Sequence, residues 1–214
     1  MSFVISSVLP FPNIAWWCFV LNYETVAWDL SEHFEKMTYR NRYYLAAANG
    51  LAKLSIPIHK GRDHHAVMND VLISYAQDWQ TQHWRTIVSA YNRSPYFEFY
   101  ASSLEKLFLQ KFDKLIDFNL ASIHWLTRQL ELSFKEETIS VFRKEYPAAV
   151  DLRNMKPELE ERSDRDFPLY YQVFQERNGF TPNLSIIDLL FSEGPLTKKW
   201  LKENKESVVS LMKP

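Results

Sequence analysis

The sequence predicts a mixed α/β fold, in which an N-terminal mixed sheet with an Asn-Gly β-hairpin is followed by packed helices. Three observations favour this fold class. Short β-branched runs flank an apolar segment near the N-terminus, Asn-Gly divides two strand-like runs, and apolar residues recur at helical spacing after residue 74. The chain of 214 residues is 46% hydrophobic and 24% charged, which is typical of globular proteins.

The N-terminal segments predict an α/β unit. Phe3–Leu9 is apolar and partly β-branched, and it predicts a buried strand that ends at the prolines after it. Ile14–Leu21 is continuously apolar and predicts a short buried helix, although its pattern fits a strand equally. Thr25–Leu30 predicts a second strand. In units that run strand–helix–strand, ligands bind beyond the ends of the strands.

The strongest local signal is the pair Asn49-Gly50. Asn-Gly tolerates positive φ at both central positions of a turn, so Tyr43–Ala48 and Leu51–Ile58 are predicted to form a hairpin with a type I′ turn. A third strand is predicted near Val67–Ile73.

Helical spacing dominates the middle of the chain. Ser74 opens a capping box, and the helix after it is predicted to end at Pro95. Ser102 opens a second capping box, and a third helical pattern covers Asp117–Leu132. A late strand is predicted over Thr138–Phe142.

The chain is predicted to have three parts. Residues 1–142 form the core of sheet and helices, residues 143–166 form an exposed charged connector, and residues 167–214 form a helical segment packed on the core. The connector holds many charges and few large apolar side chains, so it cannot bury much surface. In the last part, Ser185 caps a helix that stops at Gly194, and a final helix starts near Leu196.

Composition excludes several classes of protein. With 25 Lys and Arg against 26 Asp and Glu, the chain lacks the basic surplus of a nucleic-acid-binding protein. The single cysteine, Cys18, excludes an intrachain disulfide. The apolar run Ile14–Leu21 is too short for a membrane-spanning helix, which needs about 20 residues. We expect a cytoplasmic protein without membrane insertion, and self-association into a homo-oligomer stays open.

The first candidate site is a dense polar cluster directly before the hairpin: Lys36, Tyr39, Arg40, Asn41 and Arg42. On a strand, Arg40 and Arg42 would project to the same face, where two guanidinium groups repel unless an anion or a carboxylate lies between them. One interpretation is therefore a pocket for a phosphate-bearing ligand. The other is a solvated strand edge whose arginines pair with Glu32, Glu35 or a distant carboxylate.

The second candidate site lies on the predicted helices. His83 falls on the apolar stripe of the first long helix, so it is either a hydrogen-bonded core residue or, beside a cavity, a proton-transfer group. Tyr91, Ser94 and Tyr96 follow it, and their rings either fill the core or stack on a sugar or base. Asn119 lies on the apolar side of its helix, where a buried amide is a structural pin or a ligand contact.

No metal or cofactor site is predicted. His59, His64 and His65 are close in sequence but share no recognised ligand spacing. The sequence contains no Gly-rich phosphate-loop motif and no G-x-S-x-G motif, so nucleophilic serine catalysis has no support.

Four segments, in this order along the chain, resemble the WbqC-like family of bacterial proteins: FEKMTYRNRYYLAAANG, LSIPI, HWRTIVSAYNRSPYFEFY and LIDFN. The opening LPFPNIAWW resembles the proline-rich, aromatic start of that family, and the similarity covers about residues 3–195. The later GFTPNLSIIDLLFSEGP resembles a variant typical of Bacteroidetes. Name-giving members are associated with the biosynthesis of O-antigen and other surface polysaccharides, so the resemblance implies a phosphorylated or nucleotide-linked sugar as substrate.

Two functions are compatible with these residues. The first is a transferase-like enzyme in which Lys36, Arg40 and Arg42 hold a phosphate, while Asn41 and Asn119 orient a sugar. In that enzyme His83 and Tyr39 are the candidate catalytic residues, and Tyr91, Ser94 and Tyr96 line the substrate. The second is a non-catalytic binding or interaction protein, in which the Arg-Asn-Arg sequence is an internal network that pins the hairpin.

Overall fold

The computed structural model describes residues 3–59, 66–147, 149–155 and 166–211. Its strands are β1 (Phe3–Ser6), β2 (Thr25–Asp29), β3 (Arg42–Ala47), β4 (Gly50–Ser55), β5 (Lys135–Ile139) and β6 (Val150–Asp151). Its helices are α1 (Ile14–Val20), α2 (Trp79–Tyr91), α3 (Phe97–Leu109), α4 (Leu115–Gln129), α5 (Gln175–Asn178), α6 (Ile186–Glu193) and α7 (Thr197–Leu211). The predicted mixed α/β class is confirmed. None of the helices in these ranges is long and apolar enough to cross a bilayer.

Four strands form a parallel sheet in the order β5-β2-β1-β6. β1 and β2 align from Phe3 opposite Thr25 to Ser6 opposite Trp28, and α1 is the crossover between them. Every residue of α1 is buried, which explains why the helix is apolar on all sides. The Asn13 side chain caps α1 by accepting a hydrogen bond from a backbone N–H of its first turn. The predicted N-terminal α/β unit is therefore present.

The antiparallel hairpin forms a sheet of its own, made of β3 and β4, and does not join the parallel sheet as a single mixed sheet. Its closing pair is Ala47 opposite Gly50, so Ala48 and Asn49 occupy the turn. A type I′ turn needs positive φ at both central residues. Here φ is positive at Gly50 (97°) and not at Asn49, so the prediction of a type I′ turn centred on Asn49 and Gly50 is wrong.

Other predicted elements also differ from the structure. Ser74 does not cap the first long helix, because α2 begins at Trp79 and is capped by the side chain of Asp78. The segment predicted as a third strand contains a 3-10 helix at Met68–Asp70 and makes isolated bridges only, such as Ile58 with Ile73. Ser102 lies inside α3 and does not start a helix, because α3 already begins at Phe97, two residues after Pro95. The apolar residues of these segments predict that they are buried, but the local sequence pattern does not predict their secondary structure.

The segment predicted as an exposed connector contributes to the core. Within its described part, Val150–Asp151 forms β6 and pairs with β1, and Leu152 and Arg153 are buried. Residues 156–165 of that segment lie outside the described residues, as do His64 and His65. The division of the chain into three parts remains a prediction.

The C-terminal helices cover the α1 side of the molecule. α6 and α7 both pack against α1. Ser185 occupies the N-cap position of α6, as predicted, but its side chain makes no capping hydrogen bond and donates to the carbonyl of Phe11. At the junction between α6 and the 3-10 helix Gly194–Leu196, Gly194 has φ 53° and faces the ring of Tyr96. A Cβ atom on Gly194 would approach that ring to 2.4 Å, so only glycine fits there.

Candidate functional site

The carboxyl ends of β1, β2 and β6 meet at one edge of the parallel sheet, where ligands bind in open α/β folds. Polar side chains that are at least partly buried gather at this edge from the strand ends and from neighbouring segments. We call them the carboxyl-edge cluster: Ser7, Asp29, Glu32, Arg40, Asn119, Asp151 and Arg153. All except Asp151 are less than 9% exposed, so a polar atom left unpaired among them costs free energy of folding.

The Arg40 guanidinium is buried and paired within the cluster. Its Nη2 atom lies 2.7 Å from Oε2 of Glu32 and donates a further hydrogen bond to the backbone carbonyl of Arg153 at 3.1 Å. Its Nη1 atom lies 3.5 Å from a carboxylate oxygen of Glu35. Burial raises the pKa of Glu32, and the charge and hydrogen bonds of Arg40 oppose that rise.

The second guanidinium, that of Arg153, is held by two carboxylates. Nη1 lies 2.7 Å from Oδ2 of Asp29, at the end of β2, and Nη2 forms an ion pair with Asp151, at the end of β6. The hydrogen bond to Asp151, more than the one to Asp29, raises the pKa of Arg153. The same guanidinium donates to the carbonyls of Arg143 and Lys144. Arg153 therefore joins β2, β6 and the segment after β5.

Asn119 joins α4 to the cluster. Its side-chain N–H₂ group donates to the carbonyl of Val8 at 2.7 Å and to the carbonyl of Arg40 at 2.9 Å. Both distances are those of well-formed hydrogen bonds. The amide thus fixes the loop after β1 against the 3-10 helix Tyr39–Asn41.

The loop between β1 and α1 is clamped from two further directions. Phe11 in this loop has φ 42°, a left-handed conformation that costs a non-glycine residue energy. Its N–H donates to Oγ of Ser122 on α4, and its carbonyl accepts from Oγ of Ser185 before α6. These contacts hold the loop that carries Ser7 in one conformation.

Four atoms of the cluster keep unused hydrogen-bonding capacity among the described residues: Ser7 Oγ, Glu32 Oε1, Arg40 Nε and Asn119 Oδ1. The Ser7 hydroxyl lies close enough to Glu32 to lower its pKa, but the two groups do not meet the geometry of a hydrogen bond. Native proteins pair nearly all buried polar atoms with protein groups or water. Four such atoms at one sheet edge therefore indicate a place for water or a polar ligand.

The structure places the other predicted residues of the first candidate site around this cluster. Arg40 lies in a 3-10 helix, so the expectation that Arg40 and Arg42 share one face of a strand is wrong. Arg42 begins β3, and its charge opposes the burial that raises the pKa of Tyr44. Asn41 donates from its amide to the carbonyl of Ile56 at 2.9 Å. Lys36 is exposed on the preceding loop.

Tyr39 is buried in that 3-10 helix. Its ring meets the ring of Tyr44 edge to face, with 5.8 Å between centroids. The side chain of Tyr39 therefore packs against β3, although Tyr39 directly precedes Arg40 in the sequence.

His83 lies in the aromatic core between α2 and β3. Its Nδ1 atom is 2.9 Å from the hydroxyl of Tyr43, and the rings of Trp79 and Phe108 pack around it. Burial lowers the pKa of His83 to about 4, so the imidazole is neutral at pH 7. This placement matches the core-residue interpretation of His83 left open by the sequence.

Tyr91, Ser94 and Tyr96 lie at a third place, near α6. The Tyr91 hydroxyl donates to Asp188 at 2.6 Å, and the Ser94 hydroxyl donates to the carbonyl of Tyr91. Tyr170 donates to the same carboxylate at 2.7 Å. The ten predicted site residues therefore do not converge on one centre, and only Arg40 and Asn119 belong to the carboxyl-edge cluster.

A model of the WbqC-like protein family matches residues 11–152, which is about two thirds of the chain. The chain belongs to the WbqC-like protein family. It is also similar to "Uncharacterized protein Rv1507c" from Mycobacterium tuberculosis (strain ATCC 25618 / H37Rv), with 25% identity over 195 residues, 79% of this chain and 84% of that protein. No solved structure matches the chain.

The part of this WbqC-like protein that the family model matches contains Asp29, Glu32, Arg40, Asn119 and Asp151, and it ends directly before Arg153. Most of the carboxyl-edge cluster therefore lies in the family region. Sequence reasoning missed Ser7, Asp29, Asp151 and Arg153 as site residues. The available signal is that Ser7 and Asp29 lie within two residues of the ends of the predicted strands Phe3–Leu9 and Thr25–Leu30, and α/β folds bind ligands at strand ends.

Proposed function

We propose that this WbqC-like protein acts on a nucleotide-linked or otherwise phosphorylated sugar, as a transferase-like enzyme that makes precursors of bacterial surface polysaccharide in the cytoplasm. The association of name-giving family members with O-antigen biosynthesis supports the substrate class. The carboxyl-edge cluster supports the place of binding, because it lies where open α/β sheets bind small molecules.

One observation carries the proposal. Ser7, Glu32, Arg40 and Asn119 each keep a buried polar atom without a hydrogen-bond partner among the described residues. A sugar offers several hydroxyl groups, each of which donates one hydrogen bond and accepts others. A sugar ring can therefore satisfy this mixed set of donors and acceptors.

Lys36 is the candidate for the charged end of the substrate. Its side chain is exposed, and it directly follows Glu35, which contacts Arg40. An ammonium group binds phosphate as a point charge and needs no fixed geometry. In the proposed complex the sugar faces the cluster and the phosphates face Lys36.

Titration calorimetry with UDP-glucose, UDP-N-acetylglucosamine and dTDP-glucose tests the proposal. We expect the wild-type protein to bind at least one of them, and Lys36→Ala to weaken that binding about three- to tenfold at low salt, because one exposed charge contact is lost. Lys106→Ala removes an exposed lysine of α3 and serves as the matched control, with no expected change. Failure of all three compounds to bind the wild type would contradict the proposal.

A second candidate function rests on a different observation. Both guanidinium groups of the cluster are already paired with carboxylates, Arg40 with Glu32 and Arg153 with Asp29 and Asp151. This arrangement favours a structural network in a non-catalytic binding or interaction protein. Under that function the three nucleotide sugars do not bind, and the ion pairs act on stability alone.

A further inference from the structure

The unused hydrogen-bonding capacity of the carboxyl-edge cluster has a chemical bias. Oε1 of an ionised Glu32 and Oδ1 of Asn119 can only accept hydrogen bonds, whereas Nε of Arg40 can only donate one. Oγ of Ser7 can do either. A ligand group that fits must therefore donate to two acceptors and accept from one donor.

The net charge of the cluster also disfavours a phosphate ligand. Its carboxylates are those of Asp29, Glu32 and Asp151, and its guanidinium groups are those of Arg40 and Arg153. Three negative and two positive groups give a net charge of −1, and protonation of Glu32 would bring it only to zero. The cluster has no positive surplus with which to hold an anion.

A phosphate group is a poor match for such a cluster. Its ionised oxygens accept hydrogen bonds and do not donate them, so they would leave Glu32 and Asn119 unpaired. Its negative charge would also face a buried carboxylate, which is costly where water is excluded. A sugar ring with free hydroxyl groups meets the same atoms without either cost.

We infer that the cluster is a recognition site for sugar hydroxyl groups and excludes phosphate, so that the ligand enters with its sugar ring first. This inference rests on the proposed function and deepens it. In the bound state, ligand hydroxyls donate to Glu32 and Asn119, and a hydroxyl oxygen accepts from Nε of Arg40. Ser7, at the end of β1, adds a fourth contact.

Ordered water is the competing occupant, because water also donates and accepts. The two occupants differ in one measurable way. A cluster that holds only water makes affinity independent of its side chains, whereas a sugar site makes affinity for the sugar depend on them.

The test compares Ser7→Ala with Ser192→Ala. Both remove a buried hydroxyl that has no hydrogen-bond partner among the described residues, but Ser192 lies on α6, outside the cluster. Neither change removes a hydrogen bond of standard geometry, although Ser7→Ala also removes the hydroxyl that lowers the pKa of Glu32. We therefore expect both variants to keep the wild-type melting temperature within a few degrees. Titration calorimetry then measures the tightest binder among the three nucleotide sugars, and in parallel its nucleoside diphosphate without the sugar.

For Ser7→Ala we expect the Kd of the nucleotide sugar to rise about three- to tenfold, the size of one lost neutral hydrogen bond, while the Kd of the nucleoside diphosphate stays unchanged. Ser192→Ala should change neither value. Equal weakening of both ligands would place phosphate in the cluster, and no weakening of either would leave only water there. Either of these results overturns the inference while wild-type binding still supports the proposed function, whereas absence of wild-type binding removes both.

Discussion

Two arginines two positions apart have different surroundings in this protein. Arg40 is 6% exposed and ion-paired with Glu32, whereas Arg42 is half-buried at the start of β3. Their spacing predicts that both side chains lie on one face of a strand. In the structure Arg40 belongs to the 3-10 helix Tyr39–Asn41, whereas Arg42 is the first residue of β3. The backbone carbonyl that Arg40 also binds belongs to Arg153, 113 positions later, so no local pattern could have revealed it.

The ion pair between Glu32 and Arg40 yields a prediction about stability. Arg40→Met or Glu32→Met alone leaves a buried charge without its partner, and each should lower the free energy of unfolding by about 3–5 kcal/mol. The double variant removes both charges and should cost much less than the sum of the single variants. Urea denaturation of the four proteins measures this coupling. Additive costs would show that the two side chains do not interact in the folded protein.

At the scale of elements, two buried titratable groups connect helices to their neighbours. His83 joins α2 to Tyr43 of β3, and Asp188 joins α6 to Tyr91 of α2 and to Tyr170. Burial lowers the pKa of His83 to about 4 and raises the pKa of Asp188 to about 6. Hydrogen bonds from the two tyrosine hydroxyls oppose the rise for Asp188.

These two groups have opposite effects on stability between pH 4 and pH 6.5. His83 binds protons less tightly when folded, so its contribution is lost as the pH falls from 6.5 toward 4. Asp188 binds its proton more tightly when folded, so its contribution is present at low pH and is lost as the pH rises through 6. Each amounts to about 3 kcal/mol, because one pKa unit corresponds to about 1.4 kcal/mol. In the wild type they largely cancel.

Single substitutions expose each contribution. As the pH rises from 4 to 6.5, the unfolding free energy of Asp188→Asn should increase relative to that of the wild type by up to about 3 kcal/mol. Over the same rise in pH, the unfolding free energy of His83→Gln should decrease relative to the wild type by a similar amount. Chemical denaturation at several pH values gives these differences, and groups shared with the wild type cancel. Parallel pH profiles for all three proteins would mean that neither group titrates abnormally.

The elements differ in how far the sequence could predict them. The β1–α1–β2 unit and the start of α6 follow from apolar runs, prolines and a serine at the N-cap position, all of which are local features of the sequence. β6 has only two residues, and its pairing with β1 is a contact between distant parts of the chain. Too few residues carry its pattern, so a charged segment around it was predicted as an exposed connector.

At the scale of the whole molecule, the site is assembled from segments that are far apart in sequence. Asp29 and Arg153 are 124 positions apart, and Asn119 reaches Val8 across 111 positions. The general rule for parallel sheets predicts that such a place exists, but the pairing of its charges depends on tertiary contacts. The sequence places Ser7 and Asp29 near the ends of predicted strands, but it offers two interpretations of Arg40 and cannot decide between them.

The proposed place of the sugar in this WbqC-like protein is the carboxyl-edge cluster. A crystal structure of the wild type soaked with the tightest-binding nucleotide sugar measures this most directly. We predict sugar density within hydrogen-bonding distance of Ser7, Glu32 and Asn119, with the phosphates outside the cluster on the side of Lys36. Density for the sugar at any other place, with only water at those three residues, would contradict the account.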